Sequence, residues 1–184
     1  VNAGQDIKFS WDEAALKSRH LKILWNVHKL LINLASENNI NPFELNVNKF
    51  ELEERYILSK LNTTIKKVTE LFDQYKFDET IEPLEELYLE LSRTYIQLIR
   101  EKSSLGNEEE KKVVVYTIGK VLIESLKMFS VIAPFISEAI YLNLKEEFNL
   151  NEESITHYVW PAVESKNIDS VLESEVDNAK QVIQ

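Results

Sequence analysis

Glu54-Arg55-Tyr56-Ile57-Leu58-Ser59-Lys60-Leu61-Asn62-Thr63-Thr64-Ile65-Lys66-Lys67 is the stretch on which the fold turns. At about 100° per residue, Leu58, Leu61, Ile65, Val68 and Phe72 fall on one face of a helix. Arg55, Ser59, Asn62 and Lys66 line up on another. The first face suits a core, and the second is a polar, cationic stripe. From Arg55 to Thr69 there are four basic residues and no acid, within a chain whose formal net charge is -10. That local reversal of sign is a functional signal as well as a structural one.

Upstream, the same device recurs. Ser10-Trp11-Asp12-Glu13 has the S-x-x-E form of a capping box, which predicts a helix from there to about Ser36. Leu16, Ile23, Leu24, Val27, Leu30, Leu31 and Leu34 keep helical spacing. Arg19, Lys22, Asn26, Lys29 and Asn33 run along a different face, and no acid occurs between Glu13 and Glu37. Trp25 lies on neither face. It is read as covering a neighbouring domain, with stacking on a base as the alternative.

Downstream, Asn41-Pro42 breaks the chain and residues 42–50 form a loop. The second helix runs from about Leu52 to Tyr75. Asp78 is the expected N-cap of a third helix that continues to about Lys102, with Pro83 inside its first turns. Ser103 to Asn107 is a further break, followed by a helix from about Glu108 to Val131. Pro134 suits the first position of a fifth helix ending near Phe148. Ile155 to Pro161 reads as an extended strap, and Asp169 to Gln184 begins another helix. The expected fold class is all-α, a helical bundle of about five helices with an extended C-terminal strap. Residues 1–149 form the bundle, and 150–184 hold the strap and the start of a truncated helix in the same domain.

Composition narrows the function. The 184 residues carry 44% hydrophobic and 28% charged side chains, as ordinary globular proteins do. With no Cys there are no disulfides and no thiolate metal sites. No apolar run reaches the roughly 18 residues of a membrane span. The chain does not begin with Met, which suggests a piece of a longer or processed protein. Gly-rich phosphate loops, H-E-x-x-H and nucleophile motifs are all missing. His20, His28 and His157 are scattered and read as structural. No catalytic residue and no metal site is expected. The two stripes suit three uses: a face for another protein domain, a surface that tracks phosphates, or solvated helix faces. Interleaved Asn adds weight to phosphate and base contact, since an amide can read base edges where Lys only attracts.

Five motifs in register then carry a resemblance. Glu54 to Asn62 resembles the D-R-W-I-L-S-R-L-N segment of the anticodon-binding domain of class I aminoacyl-tRNA synthetases of the isoleucyl, valyl and leucyl group. Phe9-Ser10-Trp11-Asp12-Glu13 with Leu21 to Val27 resembles the first helix of that domain, most closely the isoleucyl type. Leu91-Ser92-Arg93-Thr94-Tyr95, Ala133-Pro134-Phe135 with Glu138 and Tyr141, and Ser154 with His157 and Trp160-Pro161 resemble three further segments. The sequence departs from the pattern at Tyr56 and Thr94, where Trp is usual, and at Thr156. The resemblance implies a domain that receives the anticodon arm of a tRNA and lacks catalytic activity itself. The valyl or leucyl type, or a helical protein-protein module, is the alternative. It also implies a cytoplasmic parent ligase whose separate catalytic domain uses ATP and Mg, and no partnership with DNA or membrane. Under that reading Arg19, Lys22, Asn26 and Lys29 join Arg55, Asn62, Lys66 and Lys67 in one groove for the tRNA, with Trp25 as a stacking candidate.

Overall fold

The computed structural model describes residues 10–183, with side chains described through residue 180. Among them the secondary structure is entirely helical. The first helix, α1 (Trp11–Asn38), begins where Ser10 Oγ accepts the Glu13 N–H at 3.4 Å. It ends at Asn39, whose left-handed φ of 54° turns its N–H back to the last carbonyls. The second, α2 (Leu52–Asp73), opens with the Glu54 carboxylate accepting the Glu51 N–H at 3.1 Å. These caps satisfy donors that no helical carbonyl can reach.

The third segment is not the single helix that the periodicity predicts. It is a 3-10 turn (Phe77–Thr80), α3 (Ile81–Glu90), a π turn (Leu91–Tyr95), α4 (Ile96–Leu98) and α5 (Arg100–Leu105). Asp78 is not its N-cap. The chain passes straight from the 3-10 turn into α3, where Thr80 Oγ1 donates to Phe77 O at 2.6 Å. Pro83 lies in the first turn of α3, where a missing N–H forfeits no helical bond. The π turn accommodates one extra residue and brings Tyr95 inward, its hydroxyl 3.2 Å from Glu54 Oε1.

Two longer helices complete the bundle: α6 (Glu108–Phe129) and α7 (Pro134–Phe148). Asn107 and Glu110 cap α6 reciprocally at 3.0 and 2.6 Å, and Pro134 takes the first position of α7. Cross-chain contacts set the directions. Glu54 meets Tyr95 and Tyr56 meets Glu90, so α2 runs against α3. The Tyr88 and Phe129 rings lie 5.8 Å apart and Tyr95 is bonded to Thr117, so α6 runs against the third segment, while a Cβ on Gly119 would fall 2.8 Å from Pro42 Cβ. Gly119 is what allows the loop after α1 to pass this close. The core is filled by Leu24, Val27 and Leu31 of α1, Ile57, Leu61 and Ile65 of α2, and Val121 and Leu122 of α6. Each such side chain contributes about 2 kcal/mol by leaving water.

The strap is less extended than the sequence suggests. It contains 3-10 turns at Ile155–His157 and Ser165–Asn167 and leads into α8 (Ser170–Ile183). The first turn forms because Glu138 Oε2 accepts both the Ser154 hydroxyl at 2.9 Å and the Ile155 N–H at 3.2 Å. Among the described residues no helix is long and apolar enough to cross a membrane.

Candidate nucleic-acid interface

The polar stripe of α2 is covered from within the domain. The Arg55 guanidinium lies 2.9 Å from Asp169 Oδ2, and Lys60 Nζ lies 2.9 Å from Asp177 Oδ2. Ser59 donates its hydroxyl to Glu173 while accepting the Asp169 N–H at 2.7 Å, and Thr63 donates to the same carboxylate at 2.8 Å. Asn62, 1% exposed, donates to Leu58 O at 2.8 Å and accepts the Glu164 N–H at 2.7 Å. Buried polar atoms must be paired in this way, or each costs about 1–3 kcal/mol. Asn62 is therefore withdrawn from the candidate RNA groove, because its amide oxygen holds the strap and its amide nitrogen bonds back to its own helix. Arg55 stays exposed but is committed to Asp169. Lys66 and Lys67, one to two turns further on, are exposed and form no ion pair among the described residues.

On α1 the outcome differs. Arg19, Lys22, Asn26 and Lys29 are all exposed along a single face. The groups diverted to the bundle are their neighbours: Lys17 Nζ and His20 Nδ1, the latter at 2.8 Å, reach Glu85. Burial pushes the Glu85 carboxyl up, but hydrogen bonds from Lys17 and His20 outweigh it and hold the group below the usual range. Trp25 is half-buried. Its ring meets the edge of His28 at 4.5 Å, and Lys29 Nζ sits 5.9 Å from its centroid. These contacts tie part of the ring to the bundle and leave the rest at the surface beside the cationic row. Burial lowers the pKa of His28, and its Nε2 lies 3.1 Å from Asn143 Nδ2, so the neutral ring accepts there.

The two stripes do not meet. Helices α1 and α2 each pack on both α3 and α6, and α3 packs on α6, while α1 and α2 make no substantial contact with one another. They occupy opposite corners of the bundle. The expected single groove, from Arg19 to Lys29 on one wall and Arg55 to Lys67 on the other, is replaced by two separate faces. Arg93 is also exposed but shares a cleft with Glu86, Glu90 and Asp177, whose charge disfavours a phosphate.

Four of the five sequence motifs pair off, Glu54 with Tyr95 and Glu138 with Ser154 at 2.9 Å, and others tie to the residues around them. Glu54, 0% exposed, accepts from Tyr95 and from Lys102 Nζ at 3.0 Å. Tyr141 donates to Glu152 O at 2.7 Å, and Trp160 Nε1 donates to Thr69 Oγ1 at 2.8 Å. Glu51, Glu53 and Glu54 bring carboxylate oxygens within 4.8 Å of one another, a spacing that suits a cation. That cation is Lys102, at 2.9, 3.6 and 3.0 Å from the three. Burial lowers its pKa, but the bonds to Glu51 and Glu54 outweigh this and raise it.

Residues 54–184 match the model of the anticodon-binding domain of tRNA ligases, and the chain belongs to that family. It is 33% identical over its whole length to the isoleucine-tRNA ligases of Thermococcus kodakarensis and Pyrococcus abyssi. It is 31% identical over 95% of its length to that of Natronomonas pharaonis. The chain spans 18% of the length of the first two of these relatives.

Proposed function

We propose that this chain binds the anticodon arm of isoleucine tRNA through the α1 face, as part of an isoleucine-tRNA ligase acting in the cytoplasm. The observation that carries the reading is the row Arg19, Lys22, Asn26 and Lys29, exposed and clear of acidic partners in a chain of net charge -10. Lys and Arg would hold phosphates, and Asn26 would offer an amide to a base or ribose. Lys66 and Lys67 form a second site on α2, available to another part of the tRNA.

ATP and magnesium belong, on this reading, to the rest of the ligase. The chain has three Gly and no phosphate-cradling loop, and its one described carboxylate cluster is filled by Lys102. Amino acid activation is therefore assigned elsewhere, and this chain supplies recognition.

The test is a salt-series titration with the anticodon stem-loop of isoleucine tRNA, intact and with each anticodon base replaced. We expect affinity to fall as salt rises and to fall further when an anticodon base changes. Salt-dependent binding indifferent to the anticodon would leave a phosphate tracker and sink the anticodon reading. Equal preference for a valine or leucine stem-loop would sink the isoleucine assignment.

A further inference from the structure

Trp25 stands on the border between the exposed row of α1 and the buried side of the same helix. At about 100° per residue, Lys29 and Lys22 lie about 40–60° from it on one side, and His28 about 60° from it on the other. Lys22, Asn26 and Lys29 are exposed, Trp25 is half-buried, and His28 is 1% exposed. An indole that only filled space would belong with Leu24, Val27 and Leu31 at the apolar centre, which are buried almost completely. This one keeps part of its surface open beside two cations and an amide, in a stretch with no acid from Ala14 to Ser36.

The ring is held from behind. It meets the His28 imidazole at 4.5 Å and an angle of 77°. His28 is fixed in turn by Asn143 of α7, whose Nδ2 lies 3.1 Å from the imidazole Nε2. Burial lowers the His28 pKa, against a bond with the Trp25 backbone that raises it, so the ring stays neutral and Nε2 keeps the lone pair that the Asn143 amide needs. Lys29 is the contact that can leave. Its ammonium lies 5.9 Å from the indole centroid, on an exposed, unbranched side chain whose charge can move to a phosphate. Single-stranded nucleic acid is bound by such a combination, an aromatic ring for a base and flanking cations for the backbone.

We infer that Trp25 stacks on one unpaired base of the anticodon loop, and that His28 and Asn143 are positioning residues that hold its ring for that base. This rests on the reading of α1 as the anticodon face and adds to it a base platform and the two residues behind it. Lys22 and Lys29 then take phosphates on either side of the stacked nucleotide.

The test is a cycle of variants measured against isoleucine stem-loops in which each loop nucleotide is made abasic in turn. Trp25→Ala should weaken binding of the intact stem-loop by about tenfold, the loss of one stacked base, and Trp25→Phe should restore most of it. On the stem-loop that lacks the stacked base, Trp25→Ala should cost nothing further. Asn143→Ala should weaken the intact stem-loop by about threefold and have no effect in a chain that already carries Trp25→Ala, since it acts through the ring. With Trp11→Phe and Trp160→Phe in place, Trp25 is the sole tryptophan, and the intact stem-loop should quench its emission where the matching abasic one does not. Equal losses from Trp25→Ala on every stem-loop, or binding that leaves the emission unchanged, would overturn the stacking while the anticodon reading stands. Additive losses from Asn143→Ala and Trp25→Ala would overturn the positioning role. Failure of the unmodified chain to bind any stem-loop would overturn the anticodon reading, and the stacking with it.

Discussion

Glu54 is the residue on which the bundle depends most. Its carboxylate is wholly enclosed, caps α2 through the Glu51 N–H, accepts from Tyr95 and pairs with Lys102. Removing one partner of a buried pair strands the others, at a cost of about 3–5 kcal/mol. Glu54→Ala should therefore lower the free energy of urea unfolding by about that much, and Glu54→Gln by less, since the amide still fills the site. A change below about 0.5 kcal/mol for Glu54→Ala would show that the cluster is not coupled to folding. Asn62→Ala leaves the Glu164 N–H without its partner and should destabilise by about 1–3 kcal/mol. Sequence reading placed both residues on α2 and recognised the motif that holds them. It assigned Asn62 to RNA because helical periodicity shows which residues share a face and says nothing about what covers that face. The covering residue, Glu164, lies 102 positions away.

Among the described residues, those of α8 are held to the bundle chiefly by charge. Leu172 is its buried apolar anchor, with Val176 partly buried, while Asp169, Glu173, Asp177 and Lys180 reach Arg55, Ser59, Lys60, Tyr56 and Glu90. Burial pushes Asp177 up, but the bonds from Lys180 and Lys60 outweigh it and depress its pKa. Glu164 is depressed first by Lys120, against burial. A depressed carboxyl contributes stability that is fully present above its unfolded value, near 4, and lost as pH falls through the folded one. Hydrogen exchange in α8 should therefore accelerate between about pH 4 and pH 2, ahead of the amides of α6. Molar salt at neutral pH should produce part of the same effect by screening. Simultaneous loosening of α8 and α6 would show that the latch is not a separable unit. Four long helices were legible in the sequence because their apolar spacing and caps agree. The broken third segment was not, because a π turn keeps an almost helical pattern and its cause, the reach of Tyr95 to Glu54, is tertiary.

At the scale of the whole molecule, the geometry separates two surfaces that the sequence placed in a single groove. Both stripes were visible as acid-free runs. Their relation was not, because it depends on how α3 and α6 intervene between α1 and α2. With the stripes at opposite corners, a stem-loop seated on α1 has no route to Lys66 and Lys67 without crossing the bundle. The two pairs of lysines should then behave differently. Lys22→Glu with Lys29→Glu should weaken stem-loop binding by more than tenfold and flatten its dependence of log affinity on log salt by about 1.5, the loss of two phosphate contacts. Lys66→Glu with Lys67→Glu should change both by little with the stem-loop alone. If the larger loss followed the α2 pair, α1 would be the solvated face and the RNA would lie across α2 beside the strap. Equal losses from both pairs, without any change in slope, would mean that only the summed charge of an acidic protein had been altered. The slope is thus the decisive reading, since it counts phosphates released from counterions and is insensitive to a uniform shift in potential.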